Sequence, residues 1–124
     1  MSNMKDEVVI KFYVSRFGRP DSKGIRYMTQ ILKQAIAKEL TYDTPRYDHL
    51  VAKVAKENGV APASILRSIG RYVSDRWDPS YRRNWELYTG WNQAKPPGAA
   101  KAIRLLCESY PFFCAWWSWR SFEV

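Results

Sequence analysis

Ile65, Ile69 and Val73 fall four residues apart in the stretch APASILRSIGRYVSDRW, Ala61 to Trp77, with Leu66 and Trp77 beside them. An α-helix brings this spacing onto one face, so the segment must bury one side. Its other side carries Ser64, Arg67, Ser68, Arg71 and Asp75. A face of this kind is either plain solvated surface or a surface that touches an acidic partner.

Helical periodicity recurs from Lys23 to about Leu40, where Ile25, Met28, Leu32, Ala35 and Ile36 are in step. The turn-forming GRPDSKG ahead of it places Asp21 or Ser22 to cap that helix. Thr44 followed by Pro45 opens a further helix with Leu50, Val51, Val54 and Ala55 on its apolar side, and Asn58-Gly59 ends it. Pro62 then starts the segment quoted above. Asp78-Pro79 stops it, because the residue before a proline disfavours helical angles. A short helix follows around Ser80 to Tyr88, TGWNQAKPPG reads as loop, and Pro97 starts a last helix to about Tyr110.

The two ends are apolar in a different way. EVVIKFYV, Glu7 to Val14, is rich in β-branched and aromatic residues and predicts a strand. The aromatic stretch from Phe112 to Phe122 is expected to pair with it as a short two-stranded ribbon packed on the helices or on a second copy. The expected architecture is mainly α, with five to six helices that include a helix-turn-helix. It divides into an N-terminal arm over 1–22, a helical domain over 23–110 and an aromatic arm over 111–124.

With 124 residues, 46% of them hydrophobic, the chain suffices for one folded domain. A net charge of +8 favours nucleic acid as partner over an anionic membrane surface or an acidic protein. No apolar run approaches the roughly 20 residues of a membrane helix, and the N-terminus lacks the pattern of a secretory leader. Cys107 and Cys114 read as free, buried thiols, with a disulfide as the alternative, and His49, the sole histidine, has no partners for catalysis or metal binding. There are no paired carboxylates, no nucleophile with its base and no phosphate-binding loop. The expectation is a cytoplasmic protein, on the nucleoid when bound to DNA, that is not an enzyme and uses no cofactor, metal or small-molecule substrate.

A helix, a tight turn at Asn58-Gly59-Val60 and a helix with an outward Ser/Arg face give the outline of a helix-turn-helix. Ala52 and Ala55 are small enough for the crossing of the two helices. Ser64, Arg67, Ser68 and Arg71 then stand where side chains reach base edges, and the arginine fork spans guanine O6 and N7 or clamps a phosphate. Lys53, Lys56, Arg82 and Arg83 fit phosphate contacts and equally fit solubilising charge. Trp116, Trp117 and Trp119 leave three uses open: cover for the core, a partner or dimer contact, or a membrane interface.

Three segments, KGIRYMTQILKQAIAKE, VAKVAKENGVAPASILRSIGRYVSDRW and QAKPPGAAKAIRLL, resemble in their order the C-terminal DNA-binding domain of the sporulation response regulator family, stage 0 sporulation protein A. They span roughly residues 23 to 108. The resemblance is carried by Lys23-Gly24 with Tyr27, Ala55-Lys56, Arg67 with Ile69 leading to Trp77, Leu87-Tyr88-Thr89-Gly90, and Lys95-Pro96. It implies about six helices and a helix-turn-helix on short promoter boxes, often in tandem copies. The recognition helix would be Pro62 to Trp77, with Ser64, Arg67, Gly70 and Arg71 reading double-stranded DNA and Lys95 at a phosphate. Ser64, Leu66 and Gly70 stand where the family carries charged side chains, so general DNA affinity carries over better than base preference. The 22 residues ahead of the first helix are too few for the family's phospho-acceptor receiver domain, so a stand-alone module is expected. The alternative is a protein-interaction adaptor on the same scaffold, using the aromatic tail and binding little DNA.

Overall fold

The computed structural model describes residues 4–39 and 46–121. Among these residues the chain is all α, with six helices and no strand: α1 Met4–Val14, α2 Lys23–Glu39, α3 Tyr47–Asn58, α4 Pro62–Asp75, α5 Pro79–Thr89 and α6 Ala99–Ser121. The helix ends follow local chemistry. Ser22 Oγ accepts from the Ile25 N–H at 3.3 Å and caps α2. At the end of α3, Gly59 adopts φ 67°, the Val60 N–H reaches the Ala55 carbonyl at 3.0 Å and the Gly59 N–H the Lys56 carbonyl at 3.2 Å. This paired closure satisfies the last carbonyls and turns the chain into α4 within three residues. Asp78 caps α5 by accepting from the Tyr81 N–H at 3.0 Å, so Asp78-Pro79 opens the next helix, three residues beyond the last of α4. The Thr44-Pro45 pair lies outside the described residues.

Two expectations are corrected. Glu7 to Val14 is helical, and Val9, Ile10, Tyr13, Val14 and Phe17 are all buried. The spacing of these five is helical; it is masked in the sequence by Val8 and Phe12, apolar residues that stay exposed. The helix expected to stop at Tyr110 instead continues through Pro111 to Ser121, so the expected ribbon is absent among the described residues. Pro111 lacks an N–H and its ring crowds the preceding turn. The helix persists because Tyr110 and Phe113, on either side of it, are both anchored in the core. Ala52 is exposed, leaving Ala55 as the small residue buried where α3 meets its neighbours.

α6 packs against each of the other five helices and forms the centre of the molecule. Tyr13 donates its hydroxyl to the Leu106 carbonyl at 2.6 Å, tying α1 to α6. Burial raises the Tyr13 phenol far above its ordinary pKa, with the nearby Cys107, Cys114 and Tyr110 adding to the effect. Around it, Phe17 stacks edge-on to Trp85 at 4.7 Å, and Phe113 meets the rings of Tyr13, Tyr88, Trp116 and Trp117. Helix α1 and the far end of α6 thus belong to the same core as the central helices. The two cysteines are not joined in a disulfide; Cys107 is buried and Cys114 half-buried.

Candidate nucleic-acid interface

Helix α4 packs against α2 and α6, with a glycine at each contact but a close approach only at that with α2. Opposite Gly24, in the first turn of α2, a Cβ would lie 2.7 Å from Tyr72 Cβ and 3.0 Å from the Ser68 carbonyl oxygen. Only a residue without a side chain admits α4 at this distance. Tyr72 is held further by the Arg19 N–H, which donates to its hydroxyl at 2.9 Å. On the other flank, a Cβ at Gly70 would rest 3.5 Å from Ala99 Cβ, an ordinary contact.

With Ile65, Ile69 and Val73 buried, Arg67 and Arg71 stay exposed on the opposite side of α4, while Ser64 and Ser68 are half-buried. Ser64, Arg67, Ser68 and Arg71 line an open groove of about 640 Å³. Ser22, Lys23 and Gly24 line the same groove, which puts the first turn of α2 beside the arginines. The free N–H groups of such a turn carry partial positive charge. Arg76 adds a further cation and Asp75 the only carboxylate. Arg67 and Arg71 are exposed, and among the described residues neither is paired with a carboxylate. Like charges one helical turn apart cost about 0.2–0.5 kcal/mol. Asp75, four residues on from Arg71 in the same groove, lies beyond ion-pair distance of both arginines.

The structure therefore brings together Ser64, Arg67, Ser68 and Arg71. It sets Gly70 aside, against Ala99. Lys53 and Lys56 on α3, Arg82 and Arg83 on α5, and Lys95 are all exposed, and none of them lines the groove. Lys95 sits in a loop held by two indoles: Trp77 Nε1 donates to the Ala94 carbonyl at 2.7 Å and Trp91 Nε1 to the Lys95 carbonyl at 2.9 Å. Trp117 is half-buried with its ring 4.9 Å from Phe12, whereas Trp116 and Trp119 are 41% and 63% exposed. His49 stands exposed beside Asp48, 3.8 Å away. The described residues include no cluster of three or more metal-ligating side chains.

Lys23, Tyr72 and Arg76 belong to the groove although none of them was read as a site residue in the sequence. Lys23-Gly24 carried a signal, a glycine placed in the first turn of a helix. Arg76 carried none, since α4 ends at Asp75 and helical spacing no longer predicts direction beyond it. Comparison of the chain with family models, with curated proteins and with solved structures returns no match.

Proposed function

We propose that this protein is a sequence-specific regulator that binds double-stranded DNA, with α3, the three-residue turn and α4 serving as a helix-turn-helix. The observation that carries the proposal is the pair Arg67 and Arg71, one turn apart, exposed and without a carboxylate partner among the described residues, in a groove shared with Lys23 and Arg76. A duplex supplies the missing counter-charge. Arg67 and Arg71 face the major groove, Ser64 and Ser68 provide short polar contacts, and Lys23 with the first turn of α2 meets a phosphate. Lys53, Lys56, Arg82, Arg83 and Lys95 add general attraction. The resemblance to the sporulation effector domain supports the same reading, in which a cytoplasmic protein binds promoters in tandem or as a dimer.

Fluorescence anisotropy with duplexes selected from a random pool tests this. Log affinity should fall steeply with log salt. Arg67→Ala should cost about 1–3 kcal/mol on the selected duplex and less on random DNA. An equal loss on all sequences would make Arg67 a phosphate contact. The second reading is an adaptor that docks a protein on the exposed rings of Phe112, Trp116 and Trp119, which are 78%, 41% and 63% exposed. Its signature is negligible duplex binding even at low salt.

A further inference from the structure

A second groove, of about 430 Å³, runs between α1 and α2 and shares no lining residue with the α4 groove. Its walls are two helical stripes, Glu7, Ile10, Lys11 and Val14 on α1 facing Arg26, Thr29, Gln30 and Lys33 on α2, and Pro20 lines it from the connecting turn. Each stripe covers two turns, about 10 Å at 1.5 Å per residue. The buried Ile10 and Val14, with Pro20, give it an apolar lining, and Val8 adds an apolar side chain that is 58% exposed. Its charged rim is lopsided. Lys33 holds Glu7 at 3.0 Å, while Lys11 and Arg26, both exposed, pair with no carboxylate among the described residues.

We infer that this groove is a docking site for an acidic amphipathic helix of a partner protein. The charge pattern selects the sign of the partner, since the rim has spare cations on both walls. The apolar lining selects its class. A phosphate backbone gains nothing from an apolar surface, and a concave trough does not fit a flat bilayer. A trough with apolar residues on its α1 wall, a polar α2 wall and an unpaired cation on each matches a helix that inserts apolar residues at i and i+4 and flanks them with carboxylates. This inference is independent of the DNA-binding proposal, because it uses no residue of α4.

The test uses the full chain and a fluorescein-labelled 14-residue helical peptide with leucines at i, i+4 and i+7 and glutamates on either side of that stripe. A scrambled peptide of the same composition and a version with every glutamate replaced by lysine serve as controls. The helical acidic probe should bind at least tenfold tighter than either control. The double charge swap Lys11→Glu with Arg26→Glu, both on exposed positions, should weaken it at least tenfold, whereas Arg67→Ala with Arg71→Ala should change it less than twofold. Amide chemical-shift changes should map to residues 7–14 and 26–33. Equal binding of the scrambled peptide, shifts confined to 64–76, an unchanged affinity in the Lys11/Arg26 swap, or no binding of the helical probe each overturns the inference. Binding of a fatty acid in place of the peptide, competed away by neither control, also overturns it.

Discussion

Gly24 and Gly70 lack a side chain with opposite consequences. At Gly24 the obstacle to a Cβ includes the Ser68 carbonyl, which is backbone and cannot rotate away. Gly24→Ala should therefore lower the free energy of unfolding by about 1–3 kcal/mol in urea denaturation. At Gly70 a Cβ meets only an ordinary contact with Ala99, so Gly70→Ala should raise stability by up to about 1 kcal/mol, the helical cost of glycine. It should leave duplex affinity unchanged, which separates the contact with α6 from the DNA-reading place that the resemblance assigns to this residue. At this scale the candidate site was half legible in the sequence. The apolar spacing of Ile65, Ile69 and Val73 by itself turns Arg67 and Arg71 outward. The seat of Tyr72 was not legible, because it depends on Arg19 and Gly24, residues 53 and 48 positions earlier in the chain, which only the packing of α4 on α2 brings near.

Helices α2 to α5 were readable because their boundaries are written locally, in Ser22, Gly59, Pro62 and Asp78. Helix α1 and the second half of α6 were not. Each is so rich in apolar and aromatic residues that β-propensity outweighs a helical stripe hidden among apolar neighbours, and Pro111 looks like a terminator. Packing overrides both signals. Phe113 shows how: it is buried, and its ring lies 4.9 Å from that of Tyr13 and 6.1 Å from that of Phe12, both on α1. Phe113→Ala should cost about 3–5 kcal/mol in thermal or urea unfolding, as expected for emptying a core site of this size. A loosely attached aromatic arm would tolerate the same change.

Across the whole molecule, one hydroxyl couples the first helix to the last. Tyr13 must stay protonated to donate to Leu106, and burial keeps it so. The unfolded phenol ionises near pH 10. Stability tied to this group is therefore intact below about pH 10 and declines as pH rises above it, by up to about 1.4 kcal/mol per pH unit, because the folded state binds the proton more tightly. Urea unfolding at pH 9 and pH 11 should show a steeper loss for the unmodified protein than for Tyr13→Phe. At pH 7 the Phe variant should itself be weaker by about 0.5–1.5 kcal/mol.

That α6 touches every other helix has a consequence for how the protein is made. During synthesis the apolar flank of α1 emerges before both helices that cover it, α2 directly after it and α6 much later. Until α6 follows, the part of that flank that Phe113 covers stays bare on the nascent chain, so the bundle closes only in a late step.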